Sequence, residues 1–346
     1  MKAAVLYGNE DMRYEECPMP ELKPDNVMVK VMATGICGSD IPRVLHGKAH
    51  RYPIVLGHEF SGEVVETGEN AKGFEIGQRV SGAPLVPCMK CRDCQKGDYA
   101  LCKNYTFIGS RIQGSFAEYV SLPAINAVKF DDSISFEQGA FFEPCTVALH
   151  GLMANDFKGG GETAILGGGT IGIFTMQWAK IFGAKSVTVF DISDERLSLA
   201  KKFGADHTVN PKTGEPEKNK YDFIFETAGA ADTMRAAFEL AANKAHICFI
   251  GTPTKNLTFS PELFENMNRK EFRLTGSWMS YSAPFPGEEW FLTAHFLKTG
   301  QLKFGDGLIF KKLPLSRAAE GFALYKMPGA AGGKIMLYNT EGANNC

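Results

Sequence analysis

From Thr163 to about Gly276 the chain alternates short apolar runs with helical stripes. The runs Thr163–Leu166, Ser186–Phe190, Asp222–Glu226, His246–Ile250 and Phe272–Thr275 read as strands. Between them Ile171, Phe174, Thr175, Trp178, Ala179 and Phe182 recur at the spacing of one helix face, closed by Gly183. Glu195–Phe203 and Asp232–Leu240 repeat the helical pattern. Strand–helix repetition of this kind predicts a doubly wound parallel sheet, an α/β fold. Residues 1–150 are different. Val27–Ala33, Gly62–Glu66 and Gln78–Ser81 alternate with period two among frequent glycines and prolines, as in a β-rich barrel. The pattern turns helical from Glu143 to Leu152 and again over Trp290–Lys298, and Gly333–Tyr338 reads as a closing strand. The last residues, from Asn339 to Cys346, look frayed. The expected organisation is a β-rich domain over 1–150, an inserted sheet domain over 151–281, and a return to the first domain over 282–346.

The junction of the first sheet strand and its helix carries chemistry. Gly167-Gly168-Gly169-Thr170-Ile171-Gly172 satisfies G-x-G-x-x-G in the strand–turn–helix context that a dinucleotide fingerprint requires. Gly167 allows the tight turn, Gly169 lets a pyrophosphate approach the backbone, and Gly172 brings helix and strand together. The helix N-terminus offers free N–H groups to the phosphates. Asp191, 19 residues after Gly172, stands where a carboxylate accepts from the adenosine ribose. Its charge repels a 2′-phosphate, which favours NAD over NADP. Ile171, Arg196, Gly251 and Ser277 complete the expected cofactor contacts.

Composition narrows the class. The chain has 346 residues, 44% of them apolar, and a net charge of −2, without basic blocks or acidic tails. That is enough for two cores, and it gives no footprint for nucleic acid or an anionic membrane. The longest uncharged run, Thr163–Ala179, is too short and too glycine-broken for a membrane span. The first residues lack a secretory h-region, and nine cysteines in such a chain point to metal or catalytic use in a reducing, cytoplasmic setting.

Cys88, Cys91, Cys94 and Cys102 give C-x2-C-x2-C-x7-C within a lobe of about residues 85–105. Four thiolates so spaced close a tetrahedron around zinc and leave no open position, so this ion would be structural. An iron–sulfur cluster is the competing reading, without aromatic or further cysteine sets to support electron transfer. Cys37, His58, Glu59 and Glu143 are more dispersed. Taken singly they are equally compatible with a core cysteine, a satisfied histidine and capped carboxylates.

Together, Gly35-Ile36-Cys37-Gly38-Ser39-Asp40, Gly57-His58-Glu59-Phe60-Ser61-Gly62, the four-cysteine lobe, Glu143-Pro144 running to His150, and the glycine turn resemble the zinc-dependent medium-chain dehydrogenases over nearly the whole chain. Glu143, in place of a cysteine ligand, is similar to the polyol branch. Phe107–Arg111, Leu56–Gly62 and Gly276–Trp290 look like the dehydrogenases of polyol phosphates of the galactitol 1-phosphate kind. The resemblance implies a GroES-like catalytic domain with an inserted Rossmann domain, two zinc ions per chain, NAD, and a homodimer or homotetramer. It implies Cys37, His58 and Glu143 around a catalytic zinc, with Glu59 ligating or exchanging with water. A secondary hydroxyl would then lose hydride to NAD across the cleft between domains, while Ser39 passes the proton outward. Pro42 stands where a histidine often completes that relay. A phosphorylated substrate needs cations near the site, and Arg43, Lys48 and Arg111 are the candidates, with His46 and His50 nearby. Sorbitol or another polyol, L-threonine, and a non-catalytic relic of the fold are the alternatives.

Overall fold

The computed structural model describes residues 1–326 and 332–339; the frayed tail expected beyond Asn339 lies outside the described residues. The chain forms two compact units. One holds Met1–Glu143, Tyr281–Thr299 and the chain from Phe304 on; the other holds Pro144–Ser280 and Gly300–Lys303.

The second unit is a six-stranded sheet. Its order is His207–Val209, Ser186–Phe190, Glu162–Leu166, Tyr221–Glu226, Ala241–Phe249 and Arg273–Gly276, with every neighbouring pair parallel. The order reverses beside the first strand, which creates the switch point where open α/β sheets bind ligands. Helices Thr170–Ile181, Asp194–Phe203, Ala231–Leu240 and Pro261–Lys270 connect the strands. Helix Thr170–Ile181 is buried without a break from Gly172 to Ala179, which explains its nearly continuous apolar sequence. A polar stripe is unnecessary on a helix covered on all sides. Sequence patterning missed His207–Val209 and Pro261–Lys270. The former is only three residues long, and the latter buries just Lys270.

The first unit is built on a mixed sheet in which Asn26–Gly35 pairs with Glu59–Thr67, Tyr119–Pro123 and Lys334–Tyr338, all antiparallel. Lys334–Tyr338 in turn pairs parallel with Ile309–Pro314. Val27, Val29, Val31, Phe60, Val64, Val80, Val120 and Leu122 form one core on this sheet. A second core gathers Leu6, Ile36, Leu56, Phe116, Phe322 and Ile335. The closing strand is therefore part of the β-rich unit, and it carries the sequence's end to the elements that hold Cys37 and Glu59. Among the described residues, no helix is long and apolar enough to cross a membrane.

Candidate active site and metal centres

Strand Asn26–Gly35 ends where the chain turns out through Cys37 into a short helical turn at Gly38–Asp40. His58 and Glu59 open the neighbouring strand, and Gly35 pairs with Glu59 across the ladder. This register brings the ligand atoms of Cys37, His58 and Glu59 within 4.8 Å of one another. Glu143 lies outside that tight group, in the first turn of helix Phe142–Ala154. It is electrostatically in its company: burial, then the Glu59 charge, raise Glu143 to about 7. Its surface is only partly covered. Burial and Glu59 likewise push the Cys37 thiol well above its usual range.

The residues around the group orient it. Asp40, fully buried, places Oδ2 3.5 Å from His58 Nδ1, which leaves Nε2 to face the cluster. The Phe107 ring meets the His58 ring edge-on at 5.4 Å. Ser39 Oγ donates to Cys37 Sγ at 3.3 Å and stands 3.5 Å from His58 Nε2. Arg43 Nη1 donates to Ser39 Oγ at 3.1 Å and to Asp40 Oδ1 at 2.8 Å. Lys334, from the closing strand, donates to Glu59 Oε1 at 2.7 Å. Lys334 is 8% exposed and Glu59 2%, so this is a buried ion pair. Burial pulls the Lys334 ammonium down, but Glu59 and Cys37 outweigh it and hold its affinity for the proton above the ordinary value.

Asp40 Oδ2 and His58 Nδ1 face each other at 3.5 Å and Glu59 Oε2 is ion-paired with the Lys334 ammonium, but none of these buried atoms makes a hydrogen bond of good geometry. Buried carboxylates this close to a thiol and an imidazole are costly unless positive charge offsets them. A thiol, an imidazole and carboxylates are the donors a zinc ion takes, and the positive charge would offset the crowding that raises Cys37 and Glu143. The residues fit a metal. Sequence reasoning quoted Asp40 without giving it a role and missed Lys334. The signal for Lys334 is a single charge in the otherwise apolar strand Lys334–Tyr338.

The cysteine lobe is a separate centre. Cys91 Sγ lies 3.5 Å from Cys94 Sγ, and Cys88 Sγ lies 4.0 Å from it. Disulfide sulfurs are about 2 Å apart. Sulfurs at ~2.3 Å from a shared tetrahedral zinc stand about 3.8 Å apart, which is the spacing found. The backbone N–H groups of Lys90 and Cys91 lower Cys88 to about 6, while burial raises Cys94 to about 12. The backbone turns sharply between the first two ligands, with Met89 at φ 58°.

In the sheet unit, Gly167, Asp191, Thr227, Gly251 and Ser277 each follow the C-terminal end of a parallel strand. Gly167 has φ 112°, and a Cβ at Gly172 would stand 1.8 Å from Gly167 O. A Cβ at Gly169 would meet nothing within 4 Å, and the helix it opens has no side-chain cap. The N-terminus of helix Thr170–Ile181 is therefore left without a side-chain cap. Asp191 Oδ2 accepts from Gly168 N at 2.8 Å, which ties the carboxylate to the turn, and Arg196 Nη1 is 3.7 Å away. Ile171 is half-buried beside the turn. Gly251 N donates to Glu226 O, and the Ser277 hydroxyl is covered and without a partner.

Residues 23–132 match the alcohol dehydrogenase GroES-like domain, and residues 170–294 match the zinc-binding dehydrogenase domain. Galactitol 1-phosphate 5-dehydrogenase of Escherichia coli K12 is 40% identical over 97% of this chain and 99% of its own. The chain belongs to the zinc-dependent alcohol dehydrogenase family. Its fold is the GroES-like domain joined to a Rossmann-type domain, and it is an oxidoreductase. The crystal structure of galactitol-1-phosphate dehydrogenase from Escherichia coli matches with a TM-score of 0.91 at 38% identity, covering 98% of this chain and all of that one. A structure from Sinorhizobium meliloti, described as a zinc-binding dehydrogenase bound to NADP, matches at 0.89 and 31% identity over 97% and 98% of the two chains.

Proposed function

We propose that the protein oxidises a secondary hydroxyl of a polyol phosphate of the galactitol 1-phosphate kind, with NAD as hydride acceptor. The observation that carries the reading is the convergence of the Cys37, His58 and Glu59 ligand atoms, with Glu143 electrostatically coupled to them, in a chain 40% identical to galactitol 1-phosphate 5-dehydrogenase along almost its whole length. Cys37, His58 and Glu143 would hold a catalytic zinc, with Glu59 ligating or standing aside, and Cys88, Cys91, Cys94 and Cys102 a structural one. Zinc bound among them supplies Lewis acidity that makes the substrate hydroxyl easier to deprotonate, and NAD takes the hydride.

The chain's own residues do the rest. Asp40 fixes the His58 ring, as carboxylates behind metal-binding histidines do. Lys334 holds Glu59 and balances its charge. Ser39 Oγ, within reach of Cys37 and His58, is placed to relay the hydroxyl proton, accepting it while giving up its own to water, as the carbon gives up its hydride. Arg43 donates to Ser39 Oγ and so holds the hydroxyl in place, and it cannot itself accept the proton. Pro42 has no group to take it further, so the proton leaves by another route. Asp191 selects NAD, in contrast to the Sinorhizobium relative's bound NADP. The Rossmann unit would bind it through Gly167, Gly169, Ile171, Gly172, Asp191, Arg196, Gly251 and Ser277. A cytoplasmic homodimer or homotetramer completes the reading.

The test is NADH formation at 340 nm against galactitol 1-phosphate, galactitol, sorbitol and L-threonine. Turnover fastest on the phosphorylated polyol is expected. Turnover on L-threonine alone, or on none of the four, overturns the reading.

A further inference from the structure

The three cations expected to meet a phosphate are each tied to a different partner: Arg43 to the buried Asp40, Arg111 to the Tyr105 ring and hydroxyl, and the exposed Lys48 through its main chain to Pro42 O. The sheet unit gathers its groups more tightly. Glu226 ends the strand Tyr221–Glu226, is fully buried, and lies in neither candidate metal group. Its Oε1 accepts from Ala228 N at 3.0 Å, Gly229 N at 2.9 Å and Thr233 Oγ1 at 2.7 Å. One carboxylate oxygen thus folds the loop Thr227–Ala230 back over the strand end and ties it to the first turn of helix Ala231–Leu240. The main-chain O of Glu226 accepts from Ile250 N at 2.8 Å and Gly251 N at 3.0 Å, the residues that follow the next strand, Ala241–Phe249. The two loops then meet as bare backbone. A Cβ at Gly251 would stand 2.2 Å from Gly229 N and 2.7 Å from Glu226 Oε2. One at Gly229, where φ is 66°, would stand 2.4 Å from Thr252 O. Only glycine fits on both sides of this seam. The first loop also reaches the glycine turn, where Thr227 Oγ1 donates at 3.1 Å to Leu166 O and Gly167 O.

A buried carboxylate is a costly brace. Burial pushes Glu226 above its ordinary value, against the Thr233 hydroxyl and the N–H groups of Gly229, Ala228 and Ala230, which favour the anion. What the charge adds is stiffness, because hydrogen bonds to an ionised acceptor are about twice as strong as neutral ones. Its place in the sheet says what is being held. In an open α/β sheet a dinucleotide lies across the strand ends at the switch point, one half on each side. Asp191 follows the strand on the adenosine side of the glycine turn, and Glu226 and Gly251 follow the strands on the other side. We propose that Glu226 is a positioning residue for the cofactor, its carboxylate locking the Gly229–Gly251 seam as the floor beneath the nicotinamide half of NAD. The inference rests on the NAD-binding reading of the sheet unit and gives Glu226 no contact with the substrate.

The experiment measures the Kd of the zinc-loaded, full-length enzyme for NADH and for ADP by titration calorimetry. ADP keeps the adenosine and both phosphates and lacks the nicotinamide riboside. The variants are Glu226→Ala and Glu226→Gln, the second keeping an acceptor oxygen without the charge, and thermal melting checks that each folds. In Glu226→Ala the NADH Kd should rise about tenfold or more, the scale of a lost charge-assisted hydrogen bond, while the ADP Kd stays within about twofold of wild type. Glu226→Gln should recover part of the NADH affinity. If Glu226→Ala does not fold, Glu226→Gln decides alone: it should weaken NADH several-fold and leave ADP unchanged. NADH and ADP weakened in parallel would make Glu226 a brace of the whole sheet unit and overturn the proposal. NADH affinity unchanged in a folded variant would overturn it too, while the NAD reading stands. A wild type that does not bind NADH overturns the NAD reading, and the role of Glu226 with it.

Discussion

Gly169 and Gly172 are three residues apart in one turn, yet alanine should act on them in opposite ways. At Gly172 the added methyl would sit 1.8 Å from Gly167 O and 2.9 Å from Gly167 C. Both obstacles are main chain and cannot rotate away. Overpacking of this kind costs about 1–3 kcal/mol, and the upper end applies to a backbone clash. Alanine's better helix propensity returns about 1 kcal/mol, which leaves a loss of about 2 kcal/mol. For a domain of this size that corresponds to a fall in Tm of roughly 4–8 °C. At Gly169 the methyl meets nothing within 4 Å, and φ is −73°, open to any residue. Gly169→Ala should therefore melt at or slightly above the wild-type temperature, because the unfolded chain loses ~0.4–1 kcal/mol of entropic advantage. Its methyl, however, would occupy the space over the free N–H groups of helix Thr170–Ile181, where the pyrophosphate is expected. Losing one charge-assisted contact there, ~1.5–3 kcal/mol, weakens NADH by about 10- to 150-fold. Differential scanning calorimetry and NADH fluorescence titration on both variants supply the readouts. Gly169→Ala with native NADH affinity would refute the placement of the dinucleotide, and Gly172→Ala with an unchanged Tm would refute the packing argument.

Three further outcomes follow from the two candidate metal centres and Asp191. Lys334→Met should destabilise by about 3–5 kcal/mol, because it leaves Glu59 charged and buried without its partner; adding Glu59→Gln should recover part of the loss in a chemical melt, and a single variant as stable as wild type would contradict the buried pair. Cys91→Ser should lose one zinc per chain by metal analysis and lower Tm, since a closed four-thiolate site contributes to folding; full zinc content with an unchanged melt would contradict it. Asp191→Ala should weaken NAD and narrow its kcat/KM advantage over NADP, because it removes both the ribose acceptor and the repulsion of a 2′-phosphate; equal use of the two cofactors by the wild type would show that Asp191 does not discriminate.

Local patterns exposed the sheet unit well. Strand Ser186–Phe190 has the same limits in sequence and structure, and Asp222–Glu226 misses its strand by one residue. Their apolar runs are bounded by charged or small residues, so period and punctuation agree. The Gly172 contact was legible for the same reason: a close helix–strand approach needs glycine at a fixed offset from the turn. Long-range partners were not legible. Lys334 reaches Glu59 across 275 positions, and only the pairing of Lys334–Tyr338 with Asn26–Gly35 brings them together. Asp40 was in view within the Cys37 motif, but its bond to Arg43 and its approach to His58 depend on a chain turn that no periodicity encodes. Arg43, Lys48 and Arg111 look alike in sequence. Structure separates them by what each side chain is tied to.

The central claim is that Cys37, His58 and their neighbouring carboxylates form a metal site that carries the chemistry, distinct from the four-cysteine lobe. His58→Ala tests it most directly, with zinc per chain, NADH binding and turnover measured on the same preparation. The account predicts a fall from about two zinc ions towards one, the closed thiolate site keeping its own. NADH affinity should stay near wild type, and turnover should drop by at least two orders of magnitude, about 3 kcal/mol of lost transition-state stabilisation. Two zinc ions and undiminished turnover in His58→Ala would contradict it.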